Sequence, residues 1–299
     1  MTDVKALEEC GKTAVDALEF SRTIVKEGAS LLEVTEKIEQ FIKDRGFELS
    51  FPVNLSINEK AAHYTPGLDD KSVFQKNDIV KVDVGARSGD VLSDCAITID
   101  LSGTNGKIVN AAEKALDEAI SLVRAGRKVC EIGSVIEKAV ASAGFKPIKN
   151  LGGHGIEEEE LHAGVFIPNF DNNDDTELEE GSVISIEPFI TNGYGYVDET
   201  DDVQIYQLVS TAAPRSQEAR SILELVAGKY KTYPFAARWI GRELNHLSDF
   251  KVRRGITELL SIGTIEPFPV LIERNKGIVA QAEKQLIVEK DSCRIVTKT

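Results

Sequence analysis

The sequence predicts a mixed α/β fold built from two similar halves, with a helical segment inserted into the second half. Two observations carry this prediction: a long-range internal similarity, and an alternation of helical and strand patterns within each similar unit. With 299 residues, the chain is long enough to bury a large core as one unit. We therefore treat residues 1–299 as a single domain.

The internal similarity emerges when the chain is aligned with itself at an offset of 98 positions. The repeated unit is far longer than the few tens of residues that a solenoid repeat spans. We interpret it as a duplicated α/β half-domain. Matched positions include Gly28 with Gly126, Ile38 with Ile136, Gly46 with Gly144 and Phe47 with Phe145.

Each repeated unit begins with helical patterns. In the first unit, residues 34–47 place apolar side chains at helical spacing. Ser30 and Glu33 form a candidate capping box before this segment, and Gly46 is a candidate terminator. We predict two helices in each unit, followed by strands.

Acidic residues recur within the strand patterns. Residues 78–101 consist of two β-branched runs and predict a hairpin that turns near Ser88 and Gly89. In the second half, Glu187 follows an apolar run in the place that Asp83 holds in the first, now at an offset of 104. A last apolar strand, residues 277–290, is predicted to carry Glu283 at its centre.

The symmetry is broken between Pro214 and about Pro267, where the pattern becomes helical. Residues 216–230 and 252–263 are the clearest helical segments. We predict that residues 213–267 form a helical insert subdomain.

Composition and charge exclude several classes of protein. The formal net charge of −14 disfavours nucleic acid as a direct partner. The N-terminal residues carry acids and a lysine where a secretory signal needs an apolar run, and no segment is apolar enough to span a bilayer. Four cysteines without a CxxC pair predict reduced thiols rather than a disulfide framework. We expect a cytoplasmic protein with no membrane partner.

Four acids stand out because their sequence context is apolar. Among 49 acidic residues most are expected on the surface, but Asp83, Asp94, Glu187 and Glu283 lie in runs that otherwise predict burial. A buried carboxylate must be paired, hydrogen-bonded or bound to a metal. His154, between glycines, is a candidate fifth ligand, although a histidine satisfied within a turn has the same pattern. This donor set suits two divalent ions better than one tetrahedral zinc.

The remaining histidines divide into two groups. His63 and His162 occupy nearly equivalent positions in the two units, since an offset of 98 leads from His63 to the residue before His162. Pseudo-symmetric positions of this kind predict that both histidines face one central cleft. His246 lies in the predicted insert without neighbouring strand acids, and we assign it to the surface or to packing.

These motifs together resemble type II methionine aminopeptidases, across most of the chain and in the same order. The resemblance is carried by FPVNLSINEKAAHYTPG, VKVDVG, SDCAITID, LGGHGI, ELHAGVFIPN, ISIEPF and IVAQAE, and by the insert with FAARWI and ITELLSIGTIEPFP. It implies the pita-bread fold as a single catalytic domain. The metal ligands that it implies are Asp83, Asp94, His154, Glu187 and Glu283.

The resemblance also implies a substrate site and a reaction. His63 and His162 match the two catalytic-site histidines of the family, and Phe51, Phe268 and Ile205 match positions of the methionine pocket. Two divalent ions, of cobalt, manganese, iron or zinc, would supply a bridging hydroxide that attacks the first peptide bond. Glu187 would shuttle the proton, and His162 would stabilise the oxyanion.

In the family, the substrate is the N-terminus of a nascent polypeptide whose initiator methionine precedes a small residue. Association with the ribosome is left open by the resemblance, and a monomer is the working expectation.

Several positions depart from the usual family pattern. Gly152 stands where an asparagine is common, and Lys284 and Gln285 follow Glu283 in place of histidine and threonine. Phe268 replaces a tyrosine, and Ile205 replaces a pocket histidine. The changes near the metal ligands remove no ligand. The changes at Phe268 and Ile205 alter the polarity of the pocket.

Two other functions are compatible with such a fold. Proliferation-associated relatives are binding modules for RNA or ribosomes, but they are expected to lose metal ligands and gain basic surface. Prolidases and Xaa-Pro aminopeptidases share the metal site, but usually carry an additional N-terminal domain. The five candidate ligands, the acidic charge and a repeat that starts almost at residue 1 favour methionine aminopeptidase.

Overall fold

The computed structural model describes residues 3–298 and confirms the mixed α/β class. Within these residues a π-helix, Val226–Tyr230, continues one α-helix. The α-helices are α1 (Val4–Ile24), α2 (Leu31–Lys43), α3 (Gly106–Ile120), α4 (Val129–Ser142), α5 (Gln217–Leu225), α6 (Ala237–Glu243) and α7 (Asp249–Ser261).

The strands form five small sheets that adjoin one another. In the first half they are β1 (Glu48–Leu49), β2 (Asn54–Ile57), β3 (Lys60–Ala62), β4 (Ile79–Val84), β5 (Ala86–Ser88), β6 (Val91–Leu92) and β7 (Cys95–Asp100). In the second half they are β8 (Lys146–Pro147), β9 (Gly152–Glu157), β10 (Glu160–Pro168), β11 (Val183–Ile186), β12 (Phe189–Thr191), β13 (Val197–Leu208), β14 (Phe235–Ala236), β15 (Ile265–Glu273), β16 (Val279–Gln281), β17 (Lys284–Val288) and β18 (Cys293–Ile295).

The predicted pair of helices is present in both units, α1 with α2 and α3 with α4. At the start of α2, the Ser30 hydroxyl accepts the backbone N–H of Glu33 at 3.4 Å. Among the described residues, the Glu33 carboxylate does not accept the backbone N–H of Ser30, so only one of the two bonds of the candidate capping box is present. At the matching place in α4, the Glu131 carboxylate accepts the backbone N–H of Lys128 at 3.3 Å. Gly46, with φ of +83°, follows the end of α2 as predicted.

The predicted hairpin is confirmed. Strand β4 pairs antiparallel with β7 over its full length, and the short strands β5 and β6 extend the pair to a turn at Gly89. Strand β2 pairs with the other edge of β4. In the second half, β11 lies between β9 and β17, again with antiparallel pairing.

Two acids lie at strand ends rather than inside strands. Glu187 directly follows β11, and Glu283 lies between β16 and β17, so the single closing strand predicted for residues 277–290 is wrong. The chain breaks there because Glu283 pairs with the other half of the molecule. Its backbone N–H donates to the Ala96 carbonyl at 3.0 Å. This bridge brings the ends of β7 and β17 together.

Helices cover one face of each half, and the acids point to the other face. Val82 and Val84 belong to the core that includes α1 and α2, while Ile184 and Ile186 belong to the core that includes α3 and α4. Because successive side chains on a strand point to opposite faces, Asp83 points away from the helices. The fold thus leaves polar positions of both halves facing the interior between them.

Residues 213–267 contain α5, α6 and α7 and the short strand β14, and residues 265–267 already belong to β15. The helical part therefore lies between the paired strands β13 and β15. Its apolar side chains share the core of the first half; Ile222 and Ile240 are fully buried there. His246 is exposed, as predicted.

The four cysteines are free thiols, as predicted. Within residues 3–298, no helix combines the length and the apolar character that crossing a membrane requires.

Candidate metal centre

Two pairs of acids meet where the halves adjoin. Asp83 lies near the end of β4 and Asp94 immediately precedes its partner strand β7, so one antiparallel pair supplies both. Glu187 and Glu283 flank the antiparallel pair of β11 and β17 in the same way. The duplicated topology therefore presents two carboxylates from each half to one place.

These carboxylates carry oxygens without a partner. Asp83 Oδ1, Asp94 Oδ1 and Glu283 Oε2 are buried and accept no hydrogen bond in the described part of the chain. Leaving a buried oxygen of a charged group without a partner costs about 1–3 kcal/mol or more of folding free energy, so such atoms are rare in native proteins. Oxygen donors from four carboxylates provide the ligands that divalent cations take. The residues present therefore fit a divalent metal centre.

The pKa values of the four acids also show that burial disfavours their charged forms. Burial raises the pKa of Asp83 to about 7, against hydrogen bonds that lower it. Burial, followed by repulsion from neighbouring carboxylates, raises the pKa values of Asp94 and Glu187 well above their usual range. For Glu283 the causes are burial and the charge of Asp83. Like charges this close favour protonation unless a cation offsets them.

His154 completes the cluster. Its Nε2 lies 3.6 Å from Asp94 Oδ2 and 3.7 Å from Glu187 Oε1. Its Nδ1 lies 3.1 Å from the Gly155 carbonyl oxygen, which assigns the proton to Nδ1 and leaves Nε2 a lone pair toward the acids. Burial lowers the pKa of His154 to about 3, so the imidazole is neutral. Ligand atoms of Asp94, His154 and Glu283 lie within 4.8 Å of one another.

The glycines beside His154 are required by close strand approach. A Cβ on Gly153 would lie 2.1 Å from the Ser185 carbonyl oxygen, and a Cβ on Gly155 would lie 2.3 Å from the Ala163 carbonyl oxygen. No side chain fits at either position. The sequence GGHG thus lets β9 fit between β10 and β11 with the imidazole facing the acids.

His63 and His162 line the same cleft, as predicted. His63 adopts a left-handed backbone with φ of +64°, and its Nδ1 lies 3.1 Å from the Pro269 carbonyl oxygen. Burial lowers its pKa to about 4. The His162 ring lies 4.4 Å from the His154 ring at an angle of 62° and is more exposed. Neither histidine has an acid partner among the described ion pairs, so both are available to a ligand.

One cleft of about 450 Å³ contains all of these groups. Its apolar wall includes Phe51 and Ile205, which are only 6% and 3% exposed. Phe268 pairs with Ile205 across two strands and packs edge-on against His63 at 5.4 Å. Every site residue predicted from the sequence lines this cleft: Phe51, His63, Asp83, Asp94, His154, His162, Glu187, Ile205, Phe268 and Glu283.

Two polar residues of the site were not predicted. Gln281 Nε2 donates to Glu187 Oε2 at 3.1 Å, and Ser185 Oγ donates to Glu283 Oε1. Each precedes an acid by two residues on a strand pattern, so it shares that acid's face. Strand periodicity was the signal available in the sequence. Both residues hold a carboxylate by one oxygen and leave its other oxygen for the centre.

The structure shows where the residues that depart from the family pattern lie. The Lys284 side chain points away from the acids, with Nζ 3.5 Å from Asp117 Oδ1 on α3. Gln285 is buried and donates to the Leu92 carbonyl oxygen at 2.9 Å. Gly152 lies beneath the ring of Phe166, which lines the cleft and was not predicted as a site residue.

Comparisons with known proteins agree with this geometry. The model of metallopeptidase family M24 matches residues 5–210. A methionine aminopeptidase of Pyrococcus horikoshii is 41% identical over 297 residues, covering 99% of this chain and 100% of that protein.

Two solved structures have a similar fold at low sequence identity. A thermophilic Arx1 superposes with a TM-score of 0.85 at 16% identity, over 98% of this chain and 90% of that chain. A methionine aminopeptidase of Thermotoga maritima superposes with a TM-score of 0.72 at 20% identity, over 100% and 98% of the two chains. Methionine aminopeptidases have the pita-bread fold, which confirms that prediction.

Proposed function

Because this chain belongs to metallopeptidase family M24, we propose that it is a methionine aminopeptidase. It removes the initiator methionine from new polypeptides whose second residue is small. The observation that carries the proposal is the set of buried, unpartnered carboxylate oxygens of Asp83, Asp94 and Glu283 beside the neutral His154. A binding module without catalysis has no need for such a costly arrangement.

We assign the metal ligands to five residues, two acids from each half and one imidazole. This set of four carboxylates and one imidazole would hold two divalent ions. Bound ions would supply a nucleophile by lowering the pKa of a water from about 15.7 toward roughly 7. The ligands are Asp83, Asp94, His154, Glu187 and Glu283.

The surrounding residues bind and orient the peptide. His162, whose ring lies 4.4 Å from that of His154, would donate to the carbonyl oxygen as negative charge develops there. Glu187 is placed to move a proton toward the leaving amine, since Gln281 holds only one of its oxygens. His63 contacts the peptide backbone from the Phe268 side.

The buried end of the cleft favours an exopeptidase. Phe51 and Ile205 are buried and line the cleft together with Phe268, so they offer an apolar wall to which we assign the methionine side chain. An unbranched thioether adapts well to such a cavity. With the methionine side chain against this buried wall, the rest of the peptide would extend toward the exposed side of the cleft.

A panel of peptides varied at positions one and two tests the proposal. We expect release of methionine from Met-Gly, Met-Ala, Met-Ser, Met-Thr and Met-Val peptides, but not from Met-Leu, Met-Lys or Met-Phe peptides. One methylene changes discrimination by about 1–3 kcal/mol, so the rate should decline around Thr and Val. Equal rates for Met-Ala and Met-Phe contradict the crowded second position. Release of residues before proline, without preference for methionine, identifies a prolidase.

We further propose that the protein acts in the cytoplasm as a monomer, on N-termini as they leave the ribosome. Its net charge of −14 disfavours direct contact with ribosomal RNA, so the N-terminus itself is the partner. Native mass spectrometry tests the oligomeric state, and a dimer at micromolar concentration would contradict it.

A further inference from the structure

Phe166 is an aromatic side chain at the exposed rim of the cleft. It is 44% exposed, although it lines the same cleft as the metal-centre residues. In the pairing of β10 with β9, its Cα lies opposite the Cα of His154. Directly opposed residues on antiparallel strands share a face of the sheet, so Phe166 lies on the same face of this pair as His154, and its ring extends toward Gly152.

The ring is held over a glycine. A Cβ on Gly152 would lie 2.9 Å from Phe166 Cζ and 2.3 Å from the Ile167 carbonyl oxygen. The ring therefore packs against the backbone of β9 and occupies the space that a side chain at position 152 would fill. Phe166 is a fixed wall of the cleft on one face, while its other face is open to solvent.

The two ends of the cleft differ in depth. Phe51 and Ile205, at 6% and 3% exposed, form the buried end, whereas Phe166 is at the rim. If the first residue of the peptide is buried at the closed end, as the proposed function requires, the following residues leave past the rim. The third residue lies about 3.3 Å further along an extended chain than the second, nearer the rim, and we assign its side chain to the ring.

We propose that Phe166 is a specificity-determining residue that binds the side chain of the third substrate residue and favours apolar and aromatic groups there. This inference rests on the proposed function. Covering an exposed ring removes apolar surface from water, and an aromatic pair adds to that gain. The expected effect is a kcat/KM for Met-Ala-Phe roughly tenfold above that for Met-Ala-Gly, the ratio that about 1.4 kcal/mol gives.

The test compares release of methionine from Met-Ala-Phe and Met-Ala-Gly by metal-loaded protein. In Phe166→Ala we expect the ratio to fall to near one, mainly through a higher KM for Met-Ala-Phe, and in Phe166→Leu we expect an intermediate ratio. Metal content, measured by mass spectrometry, should stay at the wild-type value in both. The matched control is Tyr194→Ala, which removes an aromatic side chain that is 48% exposed and lies outside the cleft. It should keep the wild-type ratio.

Three results would overturn the inference. The first is equal kcat/KM for the two peptides in the wild-type protein. The second is an unchanged ratio in Phe166→Ala. The third is loss of metal from that variant, which would make Phe166 a support of His154 instead. Release of methionine without discrimination at the third residue overturns this inference alone, whereas no release from either peptide overturns the proposed function with it.

Discussion

Glu39→Ala should destabilise the protein strongly, because it isolates a buried guanidinium. Arg238 on α6 is 1% exposed, and its guanidinium forms an ion pair with the Glu39 carboxylate of α2. The same carboxylate accepts the indole N–H of Trp239 at 2.9 Å. Arg238 also donates to the Thr65 hydroxyl at 2.6 Å, two residues from His63. This network joins the helical insert to the segment that carries a predicted catalytic histidine.

The expected loss follows from the groups that stay behind. Removing one partner of a buried ion pair costs about 3–5 kcal/mol, because the other charge stays buried without compensation. Leaving the Trp239 N–H without an acceptor contributes about 1–3 kcal/mol, which overlaps with the first cost and is not additive. We therefore expect a decrease of about 3–5 kcal/mol in the free energy of unfolding. This is a large part of the roughly 5–15 kcal/mol that a domain has.

Urea unfolding followed by far-UV circular dichroism, in buffer with a chelator, measures this loss without a contribution from bound metal. The tryptophan is a poor probe here because its own hydrogen bond is removed. Asp198→Ala is the matched control: it breaks an ion pair with Arg274 in which both side chains are about half exposed. That pair should contribute at most about 1 kcal/mol. Equal losses in the two variants would refute the reasoning from burial.

Two further predictions concern the site itself. His162→Ala should keep its metal content, measured by mass spectrometry, but release methionine far more slowly, because we assign this residue to the peptide and not to an ion. Loss of metal from the folded variant would make it a ligand. In metal-free protein, the free energy of unfolding should fall as pH rises from about 4 toward 7, because the folded state keeps a proton on Asp83, with a pKa of about 7, that the unfolded state releases. Thermal unfolding at pH 5 and pH 8 checks this, because it measures how much stability is lost between the two pH values. In Asp83→Asn this loss should be smaller, and an equal loss in the two proteins would contradict the prediction.

Local sequence patterns were enough to predict the elements that form the scaffold of the site. The β4–β7 hairpin and the helix that Gly46 follows were predicted because apolar periodicity and turn residues act over short ranges. Asp83 and Glu187 were linked by their equivalent places in the two halves. That link depends on the duplication, which the sequence retains.

Contacts between segments far apart in the chain could not be predicted from local sequence patterns. The break at Glu283 arises from its bridge to Ala96, a contact between residues far apart in the chain. Phe166 reaches the cleft because β9 brings Gly152 beneath it, and the irregular register of β10 sets where the ring lies. The buried pair of Arg238 and Glu39 likewise joins distant segments. Each of these depends on which strands and helices become neighbours, and no local pattern specifies that.

The most direct measurement is methionine release from Met-Ala-Ser by metal-replete Asp94→Ala. Asp94 is a proposed metal ligand whose Oδ1 is buried without a partner among the described residues, so we predict no detectable turnover. The control, Asp90→Ala, removes an acid four residues away that is 51% exposed and should retain wild-type turnover. Full activity of folded, metal-replete Asp94→Ala would contradict the assignment of this centre and the mechanism built on it.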